Sequence, residues 1–175
     1  MTKTSVFLLS VLLVVFVSSY PAEASDSFSS YLVGTADLRD SNYTVMQIIN
    51  PTALKLRLIV GFFSPSGVPQ GCRKAQLPPN GMVHLVFRTT DEDLKPLVGS
   101  AAVVKIVSYL DMGESGTRIE VAEGIVGFQR HYFQSGTGIL RSQKISESNL
   151  AAIPQKVLTD HNNDELNKIK GICNP

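Results

Sequence analysis

Leu54-Lys55-Leu56-Arg57-Leu58-Ile59-Val60-Gly61-Phe62-Phe63 (LKLRLIVGFF) is the stretch whose reading decides how this chain folds. Leu54, Leu56, Leu58, Val60 and Phe62 recur at every second position, and Lys55 and Arg57 stand between them. A period of two belongs to a strand with one buried face, because successive side chains point to opposite sides of a sheet. A helix would space its apolar residues three and four apart. Ile59 and Phe63 fall on the charged side, so toward its end the second face of this strand is expected to be covered as well. Asn50-Pro51-Thr52 before it and Ser64-Pro65-Ser66-Gly67 after it are turn formers, and proline cannot continue a ladder.

The same alternation of β-formers and turns continues on both sides. Upstream, Tyr31–Leu38 and Thr44–Asn50 read as strands joined by a turn at Asp40-Ser41-Asn42. Downstream, Gln70–Leu77 reads as an edge strand carrying Cys72, and Pro78-Pro79-Asn80-Gly81 as a turn whose Asn-Gly suits positive φ. Met82–Arg88 places Val83, Leu85 and Phe87 on one face. Thr90 is a candidate cap for a short helical turn at Asp91–Leu94. Ala101–Leu110 is a strand, Asp111–Thr117 a loop, and Arg118–Phe133 a long β stretch bent at Gly124 or Gly127. That makes about seven strands between residues 31 and 133, the pattern of an all-β antiparallel sandwich, with a small barrel as the alternative. Residues 48–67 (IINPTALKLRLIVGFFSPSG) resemble the B–C hairpin region of many exported Ig-like sandwiches. The resemblance implies a scaffold and no activity.

The chain begins with Lys3, an uncharged apolar run Val6–Val17, and Ala22-Glu23-Ala24. That order is the pattern of a secretory signal peptide over 1–24, and the run is too short to span a bilayer. The domain plan is therefore a signal peptide at 1–24, a sandwich at 25–133 and an extension at 134–175. An exported chain makes Cys72 and Cys173 a candidate disulfide, which would pin the extension onto the sandwich. The extension is polar and mostly irregular, with an apolar stretch at Leu150–Leu158 broken by Pro154 and a short helix at Asp164–Lys170. A formal net charge of +1 gives no electrostatic reason to expect nucleic acid as a partner, and no second apolar run predicts a membrane span after cleavage.

No catalytic constellation is legible. His84, His131 and His161 lack the short fixed spacing of a zinc site, and no serine stands in a G-x-S-x-G elbow. Gln134–Gly138 lacks the spacing and lysine of a phosphate loop. Asp160, Asn162 and Asp164 match the start of a calcium loop, but Glu165 replaces its glycine and Gly171 its glutamate. Asp91-Glu92-Asp93 and Asp37, Asp40 and Asn42 offer oxygens that read as solvated, and Glu114, Glu120 and Glu123 show no fixed pairing. No metal and no cofactor is expected. The chain has no Trp, and Phe62, Phe87 and Phe128 read as core, which leaves Tyr31, Tyr43, Tyr109 and Tyr132 as the candidate ligand platform. The expectation is an exported, non-catalytic module, periplasmic or extracellular. It would bind another envelope or extracellular protein, or associate with itself through edge strands or tail. A small-ligand or glycan-binding domain is the alternative, and a hydrolase whose site converges only in three dimensions is the third.

Overall fold

A computed structural model describes residues 30–110, 122, 124–135, 142–154, 157 and 165–173. The signal segment, the Asp111–Thr117 loop, Glu114, Glu120, Glu123, His161 and the calcium-like Asp160–Asp164 lie outside the described residues.

Two antiparallel sheets lie face to face. The strands are β1 (Tyr31–Asp37), β2 (Tyr43–Asn50), β3 (Leu56–Phe63), β4 (Pro69–Leu77), β5 (Gly81–Arg88), β6 (Ala101–Leu110), β7 (Val126–Ser135), β8 (Ser142–Asn149) and β9 (Ala151–Ile153). One sheet runs β4-β3-β6-β1-β9 and the other β5-β2-β7-β8, so the sheets have free edges and do not close into a barrel. A 3-10 turn (Glu92–Leu97) joins β5 to β6, and the helix α1 (Glu165–Cys173) comes after β9 in the chain. Among the described residues no helix is long and apolar enough to cross a membrane.

The LKLRLIVGFF period is realised as a central strand. Leu56, Leu58, Val60 and Phe62 of β3 are fully buried between the sheets, where they meet Met46 and Ile48 of β2, Phe87 of β5 and Val104 and Ile106 of β6. Phe62 and Phe87 meet edge to face with centroids 5.6 Å apart, an arrangement favoured by the ring quadrupoles. Leu54 departs from the pattern: it lies before β3 in the turn and is half exposed. Ile59 and Phe63, on the other face, are buried in a second apolar cluster with Tyr31, Val107 and Ile169. The cover on that face is α1, whose Ile169 is fully buried.

Asn50 explains the turn that precedes β3. Its fully buried side chain donates to Leu54 O (2.7 Å) and Pro78 O (2.9 Å) and accepts from Thr52 N (3.0 Å). One amide thereby fastens the β2–β3 turn to the β4–β5 turn, where Asn80 adopts φ 47°. At the start of the 3-10 turn Asp91, not Thr90, holds the cap position, in extended conformation and without a side-chain cap bond. The carboxylate of Asp91 instead accepts the Arg88 amide at 3.0 Å, closing the strand end first.

The extension departs from the irregular tail expected of it. Its polar segment forms β8 against β7, and its apolar segment forms β9 against β1 before Pro154 ends it. The tertiary ladder supplies the order here, since the Ser-rich sequence of β8 has little strand propensity of its own. Cys72 of β4 and Cys173 of α1 are disulfide-bonded with Cα atoms 5.4 Å apart, which holds the helix on the five-stranded sheet.

Candidate functional site

Because β3 and its neighbours are covered by α1, the two outer faces of the sandwich differ. The outer face of the four-stranded sheet has no such cover among the described residues. Residues alternate along β2, so Thr44, Met46, Ile48 and Asn50 go inward while Tyr43, Val45, Gln47 and Ile49 go outward. The registers then align outward rows across the sheet. Arg88, Tyr43, Tyr132 and Ile145 form one row, Val86, Val45, Arg130 and Glu147 the next, and His84, Gln47, Phe128 and Asn149 a third. Tyr43 and Tyr132 stack with centroids 4.4 Å apart and planes 3° apart. Arg130 Nε reaches Glu147 Oε1 at 2.6 Å in solvent, where such a pair orients more than it stabilises.

Among the described residues the exposed large apolar side chains are Leu54, Val68, Met82, Val98, Phe128 and Ile145. Leu54, Val68 and Val98 belong to turns, whereas Met82, Phe128 and Ile145 all stand on this one sheet face. Beside Phe128 an open depression of about 490 Å³ is lined by Gln47, Gln129, Arg130, Glu147, Ser148 and Asn149. It offers amide and carboxylate groups around one aromatic ring, the chemistry of a polar ligand or of a side chain from another protein.

The tyrosines expected as a platform separate into three places. Tyr43 and Tyr132 come together on the open face, but each covers one ring face of the other, so the pair is not a flat shelf. Tyr109 lies on the opposite sheet beside Arg57 and Lys74, at a depression of about 190 Å³. Tyr31 is buried under α1 and donates to Glu165 Oε1 at 3.0 Å. Burial, reinforced by the Glu165 charge, pushes its phenol pKa far up. Lys105 also pairs with Glu165 and lies 4.3 Å from the Phe63 ring centroid. That cluster seats the helix.

Phe128 overturns its reading as core: it is 40% exposed. The reason is its neighbour. Gly127 takes the inward position of β7, where an added Cβ would stand 2.5 Å from Leu150 and 3.0 Å from Ile48 and Leu32. A side chain there would have to displace Leu150, Ile48 and Leu32, and with residue 127 inward the phenylalanine after it faces out. Arg130 and Glu147 were not singled out by sequence reasoning either. Their pairing depends on β8, whose existence the sequence did not signal.

His131 lies near a hydroxyl and a carboxylate, the groups a hydrolytic site uses, but not in the order such a site needs. Its Nδ1 lies 2.9 Å from Thr44 Oγ1, and that oxygen accepts the Asp37 amide at 3.0 Å. The Asp37 amide fills one of the two lone pairs of that oxygen, so the bond between Thr44 and Nδ1 runs in the direction set by the imidazole tautomer. Burial holds the imidazole below its ordinary pKa, with the Asp37 charge opposing. A triad would need the acid on the histidine's second nitrogen. The Asp37 carboxylate is instead held by Arg39 (2.9 and 3.0 Å) and Asn42 (3.1 Å), which keeps it below the usual carboxylate range. Thr44 itself is fully buried. His84 stands apart, on the outward side of β5 opposite Gln47.

The acidic loops have partners of their own. Arg73 of β4 bonds Asp93 (2.5 and 2.7 Å) and Asp91 (2.7 Å), and Lys95 pairs with Glu92. Among the described residues no three His, Cys, Asp or Glu side chains converge as metal ligands.

No family model matches the chain, and no curated protein matches it. Among solved structures it is similar to the crystal structure of Thermotoga maritima 1070, at TM-score 0.51 and 9% identity. The match covers 71% of this chain and 95% of that one. At that identity the likeness concerns the fold alone.

Proposed function

We propose that the chain is an exported, non-catalytic β-sandwich module that binds another protein of the envelope or extracellular space through the open face of its four-stranded sheet. The observation that carries this reading is that Met82, Phe128 and Ile145, exposed and strand-borne, all stand on the outer face that α1 does not cover, in separate rows on β5, β7 and β8. Exposed apolar side chains grouped on one face and rimmed by charge are a feature of interaction surfaces. Export is supported by the signal-like order of residues 1–24 and is consistent with the Cys72–Cys173 bond, since disulfides persist in oxidising compartments. The likeness of residues 48–67 to exported Ig-like sandwiches belongs to the same proposal.

A benzophenone amino acid placed at Phe128, followed by irradiation in the native host, tests the surface. A single discrete heteromeric adduct is expected from position 128 and none from Lys74 on the opposite sheet. Equal labelling from both positions, or none from 128, would count against the reading. The depression beside Phe128 favours a second reading, a small polar ligand or glycan. In that case an oligosaccharide array would return a hit that Phe128→Ala abolishes.

A further inference from the structure

We infer that the β8 edge pairs with the β8 edge of a second copy of this chain, in an antiparallel register centred on Ile145. The inference does not rest on the proposed partner, because edge pairing leaves the open face free.

Among the described residues the sandwich has four sheet edges, and three are guarded. β4 is packed against by α1 and the 3-10 turn and is tied to α1 by the Cys72–Cys173 bond. β9 is only three residues long and is followed at once by Pro154. β5 lies beside β4, and Arg73 donates to Val86 O at 2.6 Å. β8 is different. It is eight residues long, contains neither Pro nor Gly, and carries only Lys144 and Glu147 as charges. Lys144 to Asn149 are all exposed. Unprotected ladders of that length are templates for another strand unless something blunts them.

The surrounding pattern selects a second copy as that strand. Antiparallel pairing of β8 with itself requires a two-fold axis perpendicular to the sheet. Residues on the same face then oppose each other, so paired numbers add to an even total. Centring on Glu147 would set two like charges face to face. Centring on Ile145 sets Lys144 opposite Ser146 and opposes no charge to one of its own sign. It also brings the two half-exposed Ile145 side chains together. The Tyr43–Tyr132–Ile145 row of one copy then continues into the same row of the other, an apolar band over the six central strands of an eight-stranded sheet, with Arg88 at each end. Cross-strand pairs of this kind are the unit that stabilises a ladder.

Sedimentation equilibrium of the purified full chain, over a wide concentration range, is expected to return the mass of two chains. Ile145→Lys should raise the dissociation constant about tenfold or more, since it opposes two ammonium groups at the axis. Ile145→Cys should form a disulfide-linked dimer on mild oxidation, because opposed strand residues have Cα atoms about 4.5–5.5 Å apart, within disulfide reach. Met82→Cys, on the far strand of the same face, should stay unlinked. Ile145 is half exposed in the single chain, so the variants should keep the fold of the parent, read as an unchanged far-UV circular dichroism spectrum. A monomer at every concentration overturns the inference. So does a dimer that Ile145→Lys leaves intact, or an Ile145→Cys chain that links no faster than Met82→Cys.

Discussion

At the scale of single residues, polar groups inside the sandwich are placed by what they bond, and His131 is the case with a measurable consequence. Its pKa in the fold lies below the ordinary 6.5 because burial disfavours the imidazolium. The unfolded chain therefore binds the proton more readily. His131 contributes stability that is present above about pH 6.5 and is lost as pH falls through its depressed folded value. Asp37 and Asp93, held down mainly by hydrogen bonds from Arg39 and Arg73, have the same sign but act below their ordinary 3.8. The two windows separate on the pH axis. His131→Gln is expected to cost about 1 kcal/mol at pH 8 through the lost Thr44 bond. It should also flatten the fall in urea midpoint between pH 6.5 and pH 5. An unchanged fall would assign that loss to another group. In the sequence, His131 was legible as a residue on the last strand of the first seven, but its partner was not. Thr44 lies 87 positions away and meets it only because β2 and β7 are neighbours.

At the scale of elements, α1 illustrates how a helix with a weak apolar stripe becomes fixed. Ile169 alone is fully buried, and Tyr31, Lys105 and Glu165 supply polar seating around it. The Cys72–Cys173 bond closes a separation of 101 residues, for which the chain-entropy model gives up to about 4.7 kcal/mol. Cys173→Ser is expected to lower global stability by about 2–5 kcal/mol. The amides of α1 should then exchange fast, while those of β3 and β6 stay protected. Binding of an apolar dye should rise as Tyr31, Ile59, Phe63 and Val107 lose their cover. Full retention of α1 protection would mean that packing alone holds the helix. The covered end of β3 was legible from Ile59 and Phe63, and the helix from its acids and lysines. β8 was not, because Ser142–Asn149 orders against β7 and has no apolar period to announce it.

At the scale of the molecule, the two sheets are clamped by Arg73. From β4 in one sheet it donates to Val86 O of β5 in the other, and it lies 5.5 and 5.4 Å from the Phe62 and Phe87 ring centroids. Its guanidinium pairs with both Asp91 and Asp93, hydrogen bonding to Asp93 being the main reason its pKa is raised. These groups are partly exposed. Arg73→Met should therefore cost less than the roughly 3–5 kcal/mol of a broken buried pair and more than the ~1 kcal/mol of an exposed one, read as a shift in urea midpoint. Arg73→Lys should recover only part, since lysine has no planar fork for two carboxylates. A lysine variant as stable as the parent would remove the clamp from the account. The amino-acid sequence by itself determined the antiparallel all-β class, the first seven strands in outline and most of the inner core, because period, turn chemistry and burial are local or nearly so; it left a closed barrel open and put Phe128 inside. Tertiary structure alone decided which outer face α1 covers, that Phe128 stands on the other, and that Arg130 meets Glu147. Those outcomes depend on which strands become neighbours and on the space left where Gly127 lets the sheets approach. Sequence spacing carries no record of either.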